Sequence, residues 1–139
     1  MSVPFSGGCA CGAIRYTSSA GPLIMAHCHC RDCQHSSGTG FSSVVLVLAD
    51  AVSIEGDEPR YHSLQIPSGN SVERGFCGQC GSPLFSRNSF APHLISIKAG
   101  SLDDPSWFKP MANIWTASSQ PWTPMDPELP RFEHMPPIG

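Results

Sequence analysis

Apolar and polar residues alternate along most of the chain, in short runs. A period of two is typical of a β-strand with one buried face, because successive side chains point to opposite sides. Turn-forming segments such as GDEP, PSGN and SLDDP separate the runs, and their glycines and prolines favour tight turns. The pattern predicts strands over residues 14–17, 23–28, 41–48, 52–54, 60–64, 72–76, 84–86, 93–98 and 112–115.

Helical signals are confined to short segments. The best candidate is RDCQHSS, between Cys30 and Gly38, and a second helical turn is predicted over residues 103–108. The last twenty residues hold six prolines, which favours an extended tail laid on the body of the protein. Thirteen glycines and fourteen prolines in 139 residues also disfavour helix. We therefore predict one mainly β domain over residues 1–139, built of short antiparallel strands with one or two helical turns.

Composition narrows the expected partners and compartment. With a formal net charge of −3, the chain offers no basic stripe for the phosphates of a nucleic acid. The longest apolar run, VVLVLA at residues 44–49, is too short to cross a membrane. The segment MSVPFSGG lacks the basic and apolar parts of a secretory signal. We therefore expect a cytoplasmic protein without nucleic-acid or membrane partners, whose seven cysteines form no lasting disulfides.

The cysteines fall into three groups that suggest metal sites. A CxC pair comes first, a CxCxxC trio follows, and a CxxC pair closed by Gly81 comes last. A CxxC turn closed by glycine is typical of a zinc knuckle, and two pairs supply the four thiolates of a structural zinc. The trio then offers three ligands and an open fourth position, as reactive zinc sites do. The pairs are Cys9 with Cys11 and Cys77 with Cys80, and the trio is Cys28, Cys30 and Cys33.

Spacing alone leaves alternatives open at the trio. His35 could supply a fourth ligand, which would make both zincs structural, or one zinc could bind and leave the other thiols inert. A redox sensor, in which the trio releases zinc and forms a disulfide, is a further alternative. His27 and His29 alternate with the cysteines of an extended segment, so we expect them to point away from the thiols.

An open three-thiolate zinc has a distinctive chemistry. Three negative thiolates exceed the two positive charges of the ion, so the centre is anionic and a weak Lewis acid. It suits an exchangeable thiol or a soft carbonyl adduct better than the generation of hydroxide. The HxE glutamate of zinc deaminases is missing, which argues against deamination. Apart from Asp32, no acidic residue is near the trio in sequence, so we expect any general base to come from a distant strand or from the substrate itself.

Six segments together resemble one known family. They are GGCACG, HCHCRDCQHSSG, GFCGQCGSPLF, IKAGSLDDP and NIWTASSQPW with LPRFE. In this order they resemble the glutathione-dependent formaldehyde-activating enzymes and centromere protein V, over essentially the whole chain. The resemblance implies a β-tent fold with two zinc ions per chain, and a carbon–sulfur lyase activity that joins formaldehyde to glutathione as S-(hydroxymethyl)glutathione. The implied ligands are Cys9, Cys11, Cys77 and Cys80 for a structural zinc, and Cys28, Cys30 and Cys33 for a catalytic zinc.

Other residues are weaker candidates for substrate contacts. Basic residues could pair with the carboxylates of glutathione, although cationic side chains more often serve surface solubility, and Arg74, just before GFC, is the one to test first. The SSGTGF segment could cradle a ligand or serve as a plain turn between helix and strand. The remaining candidates are Arg31, Arg60, Arg87 and Lys98, and Trp107, Trp115 and Trp122 as pocket or core residues.

Two classes of function remain from the sequence. The first is an enzyme acting on a small-molecule thiol–aldehyde adduct at the trio. The second is a non-catalytic two-zinc scaffold whose surface and proline-rich tail bind a macromolecule. A complete fourth protein ligand at the trio would favour the scaffold, whereas an exchangeable fourth position would favour the enzyme.

Overall fold

The structure is a computed structural model that describes residues 3–66 and 69–136. Within these residues the chain forms ten strands and one α-helix. They are β1 (Phe5–Gly8), β2 (Ile14–Ser18), β3 (Ile24–Cys28), α1 (Arg31–Ser37), β4 (Ser42–Leu48), β5 (Val52–Gly56), β6 (Arg60–Gln65), β7 (Ser71–Phe76), β8 (Pro83–Asn88), β9 (Leu94–Lys98) and β10 (Ala112–Ile114).

The strands form two sheets. A small sheet has the order β1-β2-β5, and a seven-stranded sheet has the order β10-β3-β4-β9-β8-β7-β6. Their pairings within the described residues are antiparallel, except that β10 runs parallel to β3. Each strand predicted from alternation overlaps one of β2 to β10, so the mainly β class is confirmed.

β1 is the strand that alternation did not predict. Its sequence, FSGG, carries one large apolar side chain, so no periodicity is visible. Gly7 packs so tightly that a Cβ atom there would lie 2.2 Å from Tyr16 Oη and 2.3 Å from the Ser101 carbonyl oxygen. Because only glycine permits this close packing on β2, the strand needs no hydrophobic alternation, and its sequence shows none.

The main core combines residues of the two sheets. β2 contributes Ile14 and Tyr16, and β4 contributes Val45 and Val47. Tyr16 also meets the ring of Phe85 edge to face, with 5.4 Å between the ring centroids. Because side chains alternate along a strand, the residues of β4 between these core positions face the other side of the large sheet.

The predicted helical turn is α1. Cys30 caps its start, and the chain leaves it at Gly38, whose φ of 76° is left-handed. The second predicted turn is observed as a 3-10 turn, Pro105–Trp107.

As far as the structure describes it, to residue 136, the C-terminal tail forms no helix and lies against β10, as the prolines indicated. Asn113 N donates to the Pro130 carbonyl, and Phe132 N donates to the Asn113 carbonyl, each at 2.9 Å. Nothing helical in the described part of the chain is long and apolar enough to cross a membrane.

Two candidate metal centres

The first cysteine cluster joins two turns. Cys9 and Cys11 lie between β1 and β2, and Cys77 and Cys80 lie between β7 and β8. The four Sγ atoms lie within 4.8 Å of one another, with 3.6 Å between Cys9 and Cys11 and 3.8 Å between Cys11 and Cys77. In a tetrahedron with Zn–S bonds of about 2.3 Å, neighbouring sulfurs are about 3.8 Å apart. The donor set therefore fits zinc, and it links the small sheet to the large one.

Backbone amides point at the sulfurs of this cluster. Ile14 N donates to Cys9 Sγ at 3.2 Å, and Gln79 N donates to Cys77 Sγ at 3.4 Å. Gly81, with φ of 77°, closes the turn by donating to the Cys77 carbonyl at 2.8 Å. Amide donors favour the thiolate form that a metal requires. This is the geometry expected of the knuckle in CGQCG.

The second cluster lies where β3 ends and α1 begins. Cys28 is the last residue of β3, Cys30 caps α1, and Cys33 lies in the first turn of the helix. Their Sγ atoms also lie within 4.8 Å of one another. Cys33 N donates to Cys30 Sγ at 3.3 Å, so the helix cap itself brings two of the three sulfurs together. Among the described residues, no histidine or carboxylate completes this group.

Contacts within the trio shift the pKa values of its thiols in opposite directions. Hydrogen bonds from Cys28 and Cys30 lower the pKa of the Cys33 thiol. The positive charges of Arg74 and Lys98 act on that pKa in the same direction. Hydrogen bonds with Cys30 and Cys33 raise the pKa of the Cys28 thiol. A metal ion that binds all three sulfurs must therefore displace protons, which makes its affinity dependent on pH.

Two cationic side chains lie beside the trio. Arg74 Nη2 lies 3.7 Å from Cys33 Sγ, and Arg74 Nη1 donates to Ser36 Oγ at 3.4 Å. Lys98 Nζ donates to the same Ser36 oxygen at 2.9 Å and also to the Ser42 hydroxyl. Burial lowers the pKa of Lys98, while the negative charge of Cys33 opposes that shift. These cations would partly offset the excess negative charge of three thiolates if a divalent ion were bound there.

A cleft of about 440 Å³ adjoins the trio. All three cysteines line it, and Ile24, Val44 and Leu46 of β3 and β4 form an apolar wall. Among the described lining residues, Asp32 and Arg74 carry the charged side chains other than thiols. The trio therefore opens on a space large enough for a small molecule.

His35 does not close the trio. Its side chain is exposed, and its Nε2 atom lies 3.5 Å from Arg31 Nη2. Both residues line a separate surface pocket with Trp122. The described residues thus leave the fourth position of the trio without a protein ligand.

His27 and His29 point away from the trio, as the alternation predicts. His27 Nδ1 lies 3.0 Å from Ser43 Oγ, and the fully buried His29 has its Nε2 2.8 Å from Asn113 Oδ1. The ring of Phe41 packs against both histidines, with its centroid 4.3 Å from that of His27 and 5.3 Å from that of His29. The SSGTGF segment therefore turns its aromatic ring against these histidines, which favours the plain-turn interpretation.

Few of the other predicted candidates reach the cleft. Of the five basic residues, Arg74 alone lines it within the described chain, and Lys98 is buried beside the trio. Trp115 lines the cleft, whereas Trp107 packs 5.2 Å from Phe5. The exposed candidates on α1, β6, β8 and the tail are Arg31, Arg60, Arg87 and Trp122.

Two features of the site were not predicted from the sequence: the apolar wall of the cleft, and the contacts of Ser36 and Ser42 with Lys98. A signal for the wall was present in β4, whose central VVLV has apolar residues in both phases of the alternation. Such a run indicates that both faces of a strand are covered. The serines gave no comparable signal, because serine is common in turns and at strand ends.

These features define a mainly β protein with two cysteine clusters that could each bind zinc. The chain belongs to the glutathione-dependent formaldehyde-activating enzyme family, whose family model matches residues 4–118. A solved protein from Rhodobacter sphaeroides shares the fold with a TM-score of 0.58 and 15% identity, over 70% of this chain and 87% of that one. At that identity the likeness concerns the fold alone. No significant match was found among curated proteins.

Proposed function

We propose that the chain is a zinc-dependent enzyme of the carbon–sulfur lyase type that acts on the adduct of a thiol and an aldehyde. Cys28, Cys30 and Cys33 would hold the catalytic zinc. The observation that most directly supports this proposal is that the three sulfurs converge at a cleft and that, among the described residues, no fourth protein ligand joins them. Membership in the family supports the reaction class, with glutathione and formaldehyde as its reference pair.

The reaction needs modest chemical assistance. In the forward direction a carbon–sulfur bond forms between the thiol sulfur and the carbonyl carbon, while the thiol proton moves to the carbonyl oxygen. The reverse reaction breaks that bond and returns the proton. A bound zinc would supply Lewis acidity that favours the thiolate or polarises the carbonyl.

The residues of the chain would supply positioning, charge and proton transfer. The cleft would hold thiol and aldehyde together and limit access of water. Arg74, beside Cys33, would offset the negative charge that a substrate thiolate adds to the trio. Asp32 lies in the cleft wall, where its carboxylate would accept the thiol proton and return it to the carbonyl oxygen.

The first cluster would have a structural role. Cys9 and Cys11 adjoin the small sheet, and Cys77 and Cys80 adjoin the large sheet. A zinc held by four protein ligands has no open position, so it would cross-link the two sheets without taking part in the chemistry.

The test is the rate of exchange between free and adducted formaldehyde, measured by NMR exchange spectroscopy with glutathione and with small thiols. We expect the zinc-loaded wild type to accelerate exchange for at least one thiol, and Cys30→Ser to lose that acceleration. Zinc in buffer at equal concentration is the control for metal alone. No acceleration with any thiol by the fully loaded protein would favour the non-catalytic scaffold.

A further inference from the structure

The apolar wall of the cleft is unusual for an antiparallel sheet with one face in a core. The second face of such a sheet is commonly polar, because it meets water. In β4, Val45 and Val47 enter the core, yet Val44 and Leu46 on the opposite face are also apolar and line the cleft. Ile24 of the neighbouring β3 extends the same surface. Ser86, Asn88 and Ser96 of β8 and β9 add uncharged polar side chains to the lining, so the wall formed by β3 and β4 is an apolar surface beside a polar one.

The cleft offers little to a highly charged ligand. Glutathione has two carboxylates and an ammonium group, and burying such charges without partners is costly. The described charged side chains of the lining, thiols aside, are Asp32 and Arg74. Arg74 already directs its Nη atoms at Cys33 and Ser36, and its Nε atom is buried without a hydrogen-bond partner. A second substrate carboxylate would therefore find no available cation in the described lining.

Lys98 does not supply the missing cation. Its side chain is 9% exposed, and its ammonium group donates to the hydroxyls of Ser36 and Ser42. It is not among the lining residues of the cleft. Its positive charge acts on Cys33 from within the protein, and its ammonium group is not available to a ligand in the cleft.

Further apolar side chains line the cleft. Phe90, Trp115 and Met135 line it together with Ile66. A volume of about 440 Å³ lies within the range of small-molecule sites and is small for a segment of another protein. The occupant is therefore best described as a small molecule with an alkyl or aryl group.

We propose that the cleft selects an apolar thiol–aldehyde adduct, with its alkyl or aryl group on the wall formed by Ile24, Val44 and Leu46 and its sulfur at the cysteine trio. The inference rests on the proposed function and specifies its substrate class. For an apolar thiol RSH and formaldehyde, the product is RSCH2OH: the carbon–sulfur bond forms and the thiol proton moves to oxygen. The apolar group can equally come from the aldehyde.

Binding is tested first with probes that cannot react. Benzyl methyl sulfide and S-methylglutathione are titrated into the zinc-loaded protein by isothermal calorimetry. Because its benzyl group leaves water for the apolar wall, we expect benzyl methyl sulfide to bind at least about tenfold more tightly than S-methylglutathione. Equal or tighter binding of S-methylglutathione would overturn the inference.

Matched variants on β4 localise the effect. Leu46→Glu places a charge in the wall, whereas Leu48→Glu places the same charge on the same strand at an exposed position that does not line the cleft. We expect Leu46→Glu to weaken benzyl methyl sulfide at least about tenfold and Leu48→Glu to leave it unchanged. If Leu46→Glu fails to fold, Val44→Thr keeps the volume of the side chain and should weaken the same probe in a smaller degree. Unchanged binding in the folded wall variant would contradict the proposal.

Exchange measurements separate this inference from the proposed function. One arm pairs benzyl mercaptan with formaldehyde, a second pairs 2-mercaptoethanol with benzaldehyde, and a third pairs glutathione with formaldehyde. Acceleration in either of the first two arms above the third supports the inference and identifies which partner carries the apolar group. Acceleration with glutathione alone overturns it while the lyase function stands. Selective binding of benzyl methyl sulfide without acceleration in any arm supports the apolar specificity of the cleft and rejects the lyase function.

Discussion

Two of the four cysteines in the first cluster, Cys11 and Cys80, are exposed, whereas the trio is buried except for the half-buried Cys30. Solvent exposure alone would therefore assign the reactive chemistry to the first cluster. The ligand count assigns it to the trio, because four thiolates saturate a tetrahedral zinc and three do not. Under the proposed function, reactivity therefore follows the open coordination position that faces a cleft and not the solvent exposure of the sulfurs.

The surroundings of the two clusters differ in a way that agrees with their numbers of ligands. Backbone amides from turns support the sulfurs of the first cluster, which links the two sheets. The trio also receives a backbone amide, from Cys33 to the Cys30 sulfur, but it has Arg74 beside Cys33 and a cleft in front of it. The first arrangement suits a fixed cross-link, and the second suits a ligand that enters and leaves.

The largest effect should come from removing a ligand of the first cluster. Cys77→Ser should abolish its zinc and most of the cooperative unfolding transition, because zinc contributes on the order of 10 kcal/mol to the folding of small zinc domains. Thermal unfolding followed by circular dichroism measures this. A melting curve like that of the wild type would show that the first cluster is not structural.

Tighter packing near the first cluster should have an intermediate effect. Gly7→Ala places a Cβ atom against Tyr16 Oη and the Ser101 carbonyl, and such overpacking costs about 2 kcal/mol. Gly100→Ala is the matched control, since a Cβ atom there meets no heavy atom within 4 Å. Chemical denaturation should show the loss for Gly7→Ala only. Equal stability of both variants would mean that the small sheet tolerates displacement of β1.

Loss of the cation beside the trio should affect metal affinity more than folding. Arg74→Met removes the positive charge near Cys33, and outer contacts of this kind change metal affinity by about tenfold. Competition with a chromogenic chelator should show weaker binding of one zinc only, while Arg87→Met on the exposed part of β8 changes neither. Equal weakening of both zincs in Arg74→Met would contradict the separation of the two sites.

The smallest effect should come from an exposed ion pair in the half of the molecule that contains the first cluster. Hydrogen bonds from Arg15 and Ser6 lower the pKa of Asp103 to about 2, and both members of the Arg15–Asp103 pair are 46% exposed. A lowered carboxyl pKa stabilises the fold above the ordinary value of 3.8, and this contribution is lost as the pH falls towards 2. Screening by solvent limits it to about 0.5 kcal/mol.

Asp103→Asn should therefore lower the free energy of unfolding by that small amount, by the same amount at about pH 6 and pH 8. Chemical denaturation at both pH values measures it. A loss comparable to that of Gly7→Ala would show that solvent does not screen the pair. A loss that changes between the two pH values would show that the lowered pKa of Asp103 does not account for it.

The sequence predicted the strands where apolar residues alternate, and it predicted the cysteine groups from their spacing. β2 and β4 follow their alternation closely, and the partners of CGQCG were expected because CxC and CxxC together make four ligands. β1 was missed because Gly7 packs through its lack of a side chain, which leaves no hydrophobic pattern.

The cleft could not be predicted because it depends on distant parts of the chain. Its walls combine β3, β4 and β7 with Trp115 and Met135, and no local spacing records how those segments meet. The burial of Lys98 is similar, since its hydroxyl partners come from α1 and β4. Arg74 was selected for its position before GFC, and the structure places it beside Cys33, although its contact with a substrate carboxylate stays a prediction.

The most direct test of the two-cluster account is native mass spectrometry of the zinc-loaded wild type and of Cys30→Ser, each with a parallel thermal unfolding curve. The account predicts two zinc ions in the wild type, one in Cys30→Ser, and a cooperative transition in both. Loss of both ions in Cys30→Ser, or retention of both, would contradict the assignment of four ligands to one zinc and three to the other.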